Sequence, residues 1–374
     1  MFRLKTLLVC AMVASLVLFG SLLPAGLADG GANHRVRNLR FGVSGGNVND
    51  ISRRFCCSGT LGALITDGTN QYILSNNHVL GRSGEAVAGE DVSQPGLIDN
   101  NCNIATVVAD FTGFAPLGPS NVDAAVAQLR PGQMDSSGFI EDIGVPSSTI
   151  GIPTVGLSVA KSGRTTGFTT GSITSINTSV SVQYTTSCGG GGKKTTISFT
   201  NQLVITPGTF SAGGDSGSLI VTNNASHNPV GLLFAGSSSS TIANPIGQVL
   251  TRLGTALGRT FSFGGGGGGG GSATPAGDQG SGGRRPFTPG VENLMRTIPQ
   301  QASDRALAVL ESHRASLMVT PGIIGAGIGE SGRVDGETAI IVFVNKNASQ
   351  RPFVPESIDG VPVTVILTDE FVAR

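Results

Sequence analysis

The residues Gly-Asp-Ser-Gly-Ser at positions 214–218 are the stretch from which the fold of this 374-residue chain can first be inferred. A serine hydroxyl is a poor nucleophile unless a neighbouring base removes its proton. It must also lie beside backbone N–H groups that receive the negative oxygen of the intermediate. The glycines around Ser216 allow the sharp turn that aims those groups. Ser216 is therefore a candidate nucleophile, although this stretch by itself is also typical of a tight β-turn.

Two more residues complete a candidate catalytic set. His78 lies in Ser-Asn-Asn-His-Val-Leu at 75–80, directly after a strand-like run, and Asp123 heads an otherwise apolar run. Taken alone, the histidine could be structural and the aspartate a turn cap. Together with Ser216 they follow the order His, Asp, Ser that chymotrypsin has. The α/β-hydrolase alternative is excluded, because it needs Gly-x-Ser-x-Gly and a serine that comes first.

The sequence from Ser58 to about Gly254 is typical of an all-β domain. Short β-branched runs are separated by clusters of Gly, Asn, Ser and Pro, a pattern that predicts a barrel or a sandwich. The runs are Thr60–Thr66, Gln71–Leu74, Ile104–Val108, Ala124–Leu129, Gly171–Ile176, Ser179–Tyr184, Thr195–Thr200 and Val230–Phe234. Ile246–Leu257 carries apolar residues at helical spacing and predicts a closing helix.

Residues 58–254 resemble trypsin-like peptidases of the chymotrypsin fold. The segments around His78, Asp123 and Ser216 match the family's triad motifs, and Lys-Ser-Gly-Arg-Thr-Thr-Gly at 161–167 resembles a hairpin of α-lytic protease and the streptogrisins. The stretches most similar to the narrow-leaf type and its bacterial relatives are Leu74–Leu80, Gly214–Leu219 and Gly231–Gly236. The resemblance implies two six-stranded antiparallel β-barrels. It also implies peptide-bond hydrolysis through an acyl-enzyme, with no metal or organic cofactor.

The resemblance assigns further residues to the site. It implies an oxyanion hole formed by the N–H groups of Gly214 and Ser216. It places the substrate pocket at Phe210, Phe234 and Gly236, with Phe210 at the floor. At this position the chain has Phe210 and not an aspartate that could pair with a cation. We therefore expect the primary pocket to prefer apolar residues over Lys or Arg. The two rival functions are a protease-like domain that binds protein without cutting it, and an esterase that uses the same triad.

Asp215 needs a cationic partner if it is buried beside the nucleophile. In the resembling bacterial hairpin an internal arginine has this role, and Lys161 stands at its position. The resemblance therefore implies a Lys161–Asp215 ion pair and a peptidase that needs no activating cut at its N-terminus. Arg164 is the next candidate partner, and a solvated Lys161 is the alternative.

The N-terminus predicts export. Arg3 and Lys5 precede the apolar stretch Leu7–Leu23, and Gly-Leu-Ala at 26–28 suits signal-peptide cleavage before Asp29. The alternative is an uncleaved membrane anchor, although Pro24 and Gly26 favour cleavage. We therefore predict a signal peptide at 1–28, a secreted product and no membrane partner once the signal is removed.

The rest of the chain divides into four predicted parts. Residues 29–50 are a lead-in or short pro-segment, 51–260 the peptidase domain, 261–290 a Gly-rich flexible linker and 291–374 a small α+β module. The module contains an amphipathic helix over Val291–Arg314 and three strands, Ile323–Ile328, Thr338–Val344 and Val361–Leu367. Turns are predicted at 335–336 and 359–360, where Asp is followed by Gly. The module resembles a small domain often attached to the narrow-leaf type.

Composition narrows the possible partners. The formal net charge is zero, so nucleic acid is a poor partner and a peptide or protein substrate is expected. The glycines of 322–329 follow a helix and form a strand themselves, which excludes a nucleotide-binding loop. Removal of the signal leaves Cys56, Cys57, Cys102 and Cys188, and this even number in an exported chain predicts two disulfides. The two adjacent cysteines are each expected to pair with one of the two distant ones, and zinc spacing is lacking.

Overall fold

The computed structural model describes residues 34–35, 39–52, 55–185, 188, 192–264 and 300–373. The predicted signal peptide at 1–28 lies outside these residues, as do most of the predicted linker and residues 291–299 of the predicted helix. Within the described ranges, no helix is both long and apolar enough to cross a membrane.

The first barrel is built from an antiparallel sheet of seven strands. They are β1 (Val43–Asn47), β4 (Gly59–Leu61), β5 (Ala63–Thr66), β6 (Gln71–Ser75), β7 (Asp91–Gln94), β8 (Thr106–Ala115) and β9 (Ala124–Leu129). Their spatial order is β4-β1-β7-β8-β9-β6-β5. Only Gly62 separates β4 from β5, so these two end strands are one bent strand and the sheet closes as a six-stranded barrel. β1 is a buried barrel strand within the segment that composition suggested as a lead-in.

The second barrel follows the same plan. Its strands are β10 (Ser158–Gly163), β11 (Gly167–Thr185), β12 (Lys194–Thr206), β13 (Leu219–Thr222), β14 (Pro229–Gly236) and β15 (Thr241–Pro245). Their order is β10-β13-β14-β15-β12-β11, and pairing of β10 with β11 closes the ring. The prediction of two six-stranded antiparallel barrels, the chymotrypsin-like fold, is confirmed.

Two predicted strands of the second barrel are in fact one. The runs 171–176 and 179–184 both belong to β11, whose pairing with β12 shifts register between Ile173 and Val180. Asn177 within this stretch has a φ of 50°. A bulge of this kind bends a strand without ending it, and a polar residue at the bulge looks like a turn in the sequence.

The C-terminal α+β module continues the sheet of the second barrel. It consists of α3 (Gln300–Val319), β16 (Ile323–Glu330), β17 (Thr338–Asn345), β18 (Ser357–Ile358), β19 (Val361–Thr368) and β20 (Phe371–Ala373). β16 pairs with β11, and β17, β19 and β18 follow outward in that order. The predicted turn at Asp359-Gly360 is confirmed: both residues have positive φ and connect β18 to β19.

Short elements complete the fold. A two-stranded sheet joins β2 (Ile51–Ser52) to β3 (Phe55–Cys56), and α1 (Asn77–Leu80) follows β6. The predicted closing helix is α2 (Ile246–Leu257), which packs its buried face against the core of the first barrel. Phe261 and Phe263 are also buried in that core. The chain therefore remains packed on the first barrel up to Phe263.

Candidate active site

Strand pairing in the first barrel brings His78 next to Asp123. β6 ends three residues before His78, and β9 begins directly after Asp123. These two strand ends pair, with Ser75 opposite Ala125. The imidazole Nδ1 of His78 donates to Oδ2 of Asp123 at 2.6 Å, and the backbone N–H of His78 reaches Oδ1 at 3.2 Å. Such a carboxylate fixes both the orientation and the tautomer of the imidazole.

Asp123 has no exposed surface, and protein donors surround its carboxylate. The hydroxyl of Tyr184, on β11 of the second barrel, donates to Oδ2 at 2.8 Å. The amide of Asn76 donates to the backbone carbonyl of Asp123, and the Asp123 N–H donates to Asn244. Sequence reasoning did not identify Tyr184, because it lies in an ordinary strand run and in no motif.

The loop that carries Ser216 contacts the end of β6. Thr60 bridges the two, since its N–H donates to the carbonyl of Ser216 at 2.8 Å and its own carbonyl accepts from the Ser75 hydroxyl at 2.7 Å. Gly217 has a φ of 94°, and a Cβ atom there would lie 2.1 Å from the Ser75 oxygen. Only glycine fits this conformation and this approach. These contacts hold the serine loop against Ser75, which precedes His78 by three residues in the sequence.

Two N–H groups of the serine loop take no part in the backbone hydrogen bonds among the described residues. The N–H groups of Asp215, Gly217 and Ser218 donate to the carbonyls of Ala212, Leu233 and Asp215, respectively. Among the described residues, no backbone carbonyl accepts from Gly214 or Ser216. These are the two groups that the sequence predicted for the oxyanion hole. The Ser216 hydroxyl itself lies 3.4 Å from the carbonyl oxygen of Phe234.

The side chains of Lys161 and Asp215 are both fully buried, and Nζ lies 3.5 Å from Oδ2. The carboxylate also accepts from the N–H groups of Thr165, Thr166 and Ala212 at 2.8–3.1 Å. Burial lowers the pKa of Lys161, against the opposing influence of Asp215. The ion pair is thus embedded in a network of donors.

The alternative partner for Asp215 is engaged elsewhere. The guanidinium of Arg164 makes a two-pronged contact with the carboxylate of Asp99, at 2.6 and 2.7 Å. Both side chains are largely buried. Asp99 lies in a short 3₁₀ turn over Leu97–Asn100 of the first barrel, so Arg164 connects the two barrels.

The three expected pocket residues lie in different surroundings. Phe210 ends a 3₁₀ turn over Gly208–Phe210 and packs into the core of the second barrel. Phe234 and Gly236 lie on β14, and the Phe234 ring is 5.0 Å from that of Phe199. All three are buried. Lys161 Nζ lies 5.9 Å from the centre of the Phe210 ring.

A second Ser-His-Asp cluster occurs at Ser162, His34 and Asp142. Nδ1 of His34 lies 3.2 Å from the Ser162 hydroxyl, and Nε2 lies 2.9 Å from Asp142. Nδ1 also faces the carbonyl oxygen of Gly42 at 3.0 Å, and a carbonyl only accepts. This nitrogen therefore carries a proton and cannot take one from Ser162. Ser162 also lies inside strand β10, whereas Ser216 lies in a loop between elements.

The four cysteines form two disulfides, Cys56–Cys102 and Cys57–Cys188. Of the pairings left open by the sequence, the adjacent cysteines thus reach the two distant ones. Asp50 and the sulfur atoms of Cys57 and Cys188 lie within 4.8 Å of one another. Because these sulfurs are bonded to each other, they offer no thiolate to a metal ion.

Comparison with known proteins gives matches among solved structures. Neither a family model nor a curated protein matches the chain. A glutamic-acid-specific serine protease is 21% identical, with a TM-score of 0.41 over 60% of this chain and 98% of its own. Protease A of Thermobifida fusca is 18% identical, with a TM-score of 0.40 over 62% of this chain and 100% of its own. The chain is thus similar to bacterial chymotrypsin-fold serine proteases, and at these identities the similarity concerns the fold.

Proposed function

We propose that this protein is a secreted serine endopeptidase in which His78, Asp123 and Ser216 form the catalytic triad. The observation that carries the proposal is the buried His78–Asp123 hydrogen bond of 2.6 Å at the junction where the glycine-flanked Ser216 loop meets β6. A histidine held by a buried carboxylate, at a barrel junction that also carries a serine in a glycine-flanked loop, is the arrangement that acyl transfer requires. The Gly-rich loop and its two N–H groups supply the remaining element.

The proposed reaction proceeds in two steps. The oxygen of Ser216 attacks the peptide carbonyl while His78 takes the hydroxyl proton, and His78 then donates that proton to the leaving amine. Water hydrolyses the resulting acyl-enzyme by the reverse sequence of proton transfers. Asp123 holds the imidazole and stabilises its charged form. The N–H groups of Gly214 and Ser216 bind the oxyanion, each worth roughly 3–4 kcal/mol of transition-state stabilisation.

Finer features belong to the same proposal. The signal-like N-terminus supports export, and the motif resemblance supports a relative of the narrow-leaf type. The resemblance assigns Phe210 and Phe234 to the primary pocket, and apolar residues there favour an apolar substrate side chain over Lys or Arg. A library of peptide substrates tests this specificity, and strong preference for cleavage after Arg would contradict it. The proposed Lys161–Asp215 pair supports a site that forms without an activating cut.

Labelling with a serine-directed phosphonate, followed by mapping of the modified residue, tests the proposal. We expect the label on Ser216. The Ser216→Ala variant should lose labelling and about 10⁴- to 10⁶-fold of kcat, because only binding and the oxyanion hole remain. Ser162→Ala is the matched control, since it alters the serine of the other Ser-His-Asp cluster and should label normally.

The rival functions give different results in the same experiment. A domain that binds protein without cutting it would take no label at Ser216. An esterase would be labelled but would hydrolyse an ester and leave the matching peptide uncut. Loss of labelling in Ser162→Ala, with Ser216→Ala still labelled, would move the active site to the His34 cluster.

A further inference from the structure

The edge of β14 that faces away from β15 carries three segments in a row. β13 pairs with β14 as far as Leu232. The serine loop comes next, because the N–H of Gly217 donates to the carbonyl of Leu233. β20 then pairs with residues 235–236. The C-terminal strand therefore lies on the stretch of β14 immediately beyond the loop that carries Ser216.

The direction of β20 is that of a peptide approaching the serine. β20 is antiparallel to β14, with Ala373 opposite Ala235 and the preceding residue opposite Gly236. Moving along β20 thus leads toward Phe234, whose carbonyl lies 3.4 Å from the Ser216 hydroxyl. Extended peptides commonly bind by adding a strand to a sheet edge. A peptide in this place and direction presents its following peptide group to the serine.

We propose that β20 is an intramolecular competitor of the peptide substrate, bound in the groove between β14 and β11. The inference rests on the proposed peptidase function. The other wall of the groove is β11, with which β20 pairs in parallel at Val182 and Gln183. Both edges that an extended substrate would use are therefore already hydrogen-bonded to the chain's own strand.

One apolar side chain anchors the strand. Phe371 has no exposed surface and belongs to the apolar cluster that contains Tyr184, Phe199 and Phe234. Its ring also lies 5.8 Å from that of Phe343 in the C-terminal module. The anchor thus contacts both the barrel next to the candidate triad and the module that delivers it.

Polar contacts hold the segment just before β20. Thr368 shares hydrogen bonds with the hydroxyls of Ser237 and Ser239, at 2.7 and 2.8 Å. Asp369 accepts from the Ser238 hydroxyl, and the amide of Gln183 donates to Glu370 at 3.0 Å. Residues 237–239 directly follow the β14 stretch that β20 covers. These bonds place the strand but contribute little each, since water replaces them on release.

Deleting residues 371–374 from the otherwise complete chain tests the proposal. We expect the rate of phosphonate labelling at Ser216, and kcat/KM for a small peptide substrate, to rise by about tenfold or more with kcat unchanged, because a tethered competitor acts at a high effective concentration. A second variant, Phe371→Ala, should show the same change. Phe353→Ala is its matched control, since that phenylalanine is 89% exposed and should have no effect.

Peptide binding separates this proposal from the proposed function. A labelled peptide with the sequence Asp-Glu-Phe-Val-Ala, residues 369–373, should bind the deleted protein carrying Ser216→Ala, and should not bind the undeleted Ser216→Ala protein. If the peptide binds but the phosphonate never labels Ser216 in the protein that retains this serine, the triad is contradicted and the peptide-binding groove is supported. Labelling that is equally fast with and without residues 371–374, or absence of peptide binding, would overturn the intramolecular competitor.

A separate observation concerns Tyr184. Its hydroxyl donates to Oδ2 of Asp123, the same oxygen that accepts from His78, and its ring lies 6.0 Å from the imidazole. We infer that Tyr184 is a positioning residue of the proposed triad, which fixes the Asp123 carboxylate and shares its Oδ2 oxygen with His78. This too rests on the proposed function. A donor to the carboxylate weakens its hold on the imidazolium, so removing the hydroxyl should make His78 harder to deprotonate.

The variant Tyr184→Phe tests this role. We expect kcat to fall about tenfold to a hundredfold with KM nearly unchanged, and the acid limb of the pH profile to move to higher pH. Tyr72→Phe is the matched control. Tyr72 is the other tyrosine of the chain, and its hydroxyl also donates to a carboxylate, that of Asp67, at 2.7 Å. That variant should keep the pH profile of the unaltered protein.

Titration of the His78 ring followed by NMR gives a readout without turnover. The midpoint should move upward in Tyr184→Phe and stay in place in Tyr72→Phe. An unchanged midpoint in Tyr184→Phe would overturn the positioning role, even if activity falls. If the His78 midpoint shifts but Ser216 is never labelled, the Tyr184–Asp123 contact is supported and the proposed peptidase function is contradicted.

Discussion

At the scale of single residues, the candidate site depends on two carboxylates that are buried but surrounded by donors. Asp123 accepts from His78 and Tyr184, and Asp215 accepts from three backbone N–H groups beside Lys161. These donors take the place of water, which a buried charge would otherwise lack. Removal of one donor leaves the remaining charge poorly solvated, so single substitutions here should have large effects.

The first residue-scale prediction concerns pH. His78 must be neutral to accept the serine proton, and an imidazole has an ordinary pKa of about 6.5. We therefore expect kcat/KM to fall as the pH drops through about 7. The measurement is a pH profile of peptide hydrolysis between pH 5 and 8, in the range where circular dichroism shows a folded protein. A flat profile would contradict the assignment of His78 as the base.

Asp50 provides a control for that profile. Burial raises the pKa of Asp50 to about 6, and its carboxylate interacts electrostatically with His78. Above pH 6 the charged Asp50 stabilises the imidazolium, which moves the acid limb upward. Asp50→Asn removes this charge, so the limb should move to lower pH. A shift in the opposite direction would show that another group sets the limb.

The second residue-scale prediction concerns the Lys161–Asp215 pair. Lys161→Met should lower the free energy of unfolding by about 3–5 kcal/mol and abolish labelling of Ser216, because it leaves Asp215 buried without its cation. Lys161→Met combined with Asp215→Asn should recover part of the stability. Arg164→Met is the comparison for labelling, since Arg164 pairs with Asp99 and not with Asp215. Urea denaturation measures the free energy of unfolding of the three variants, and phosphonate labelling tests their Ser216. A larger loss of labelling in Arg164→Met than in Lys161→Met would make Arg164 the supporting cation.

At the scale of elements, strand ends position the candidate triad. The paired ends of β6 and β9 hold His78 and Asp123, and the bend between β4 and β5 supports the serine loop. The bend is at Gly62, where a Cβ atom would lie 1.9 Å from the carbonyl oxygen of Gly217. The first barrel and the loop after Ser216 therefore touch through backbone atoms, with no room for a side chain.

This contact leads to a prediction for Gly62→Ala. The added methyl group must displace either the β4–β5 bend or the serine loop, so we expect a loss of about 1–3 kcal/mol in stability and slower labelling of Ser216. Gly213→Ala is the matched control, because a Cβ atom there meets nothing within 4 Å. Thermal unfolding and labelling rates measure both variants. Equal behaviour of the two would mean that the Gly62 contact does not constrain the loop.

At the scale of the whole molecule, several connections hold the two barrels and the C-terminal module together. Cys57–Cys188 and the Arg164–Asp99 pair link the barrels, and α2 follows the second barrel but packs on the first. The module is joined to the second barrel by the pairing of β16 with β11 and by β20. The module therefore continues the sheet of the second barrel, and the predicted linker at 261–290 lies almost wholly outside the described residues.

The two disulfides should differ in their contribution to stability. Cys57–Cys188 closes a loop of 131 residues, and Cys56–Cys102 closes one of 46. Because the longer loop loses more chain entropy when it is closed, the double variant Cys57→Ser/Cys188→Ser should lose about 1 kcal/mol more than Cys56→Ser/Cys102→Ser. Guanidinium denaturation of the two variants measures the difference. The reverse order would show that native-state contacts outweigh loop entropy.

The sequence by itself determined the local features: the short strands, the helix Ile246–Leu257, the Asp359-Gly360 turn and the residues proposed for the triad. Each of these depends on neighbours within a few positions, through apolar periodicity, glycine conformations or a compact motif. Other features were decided only by the tertiary structure. It joined two predicted runs into the single strand β11, and it set the disulfide pairing and the partner of Arg164. It also brought Tyr184 into contact with Asp123 and placed β20 next to the loop that carries Ser216. Tyr184 lies 61 positions from Asp123, and β20 lies more than 130 positions from the β14 residues it pairs with. Such contacts follow from barrel closure and strand register. The residues next to each partner in the sequence do not indicate that the two partners are in contact.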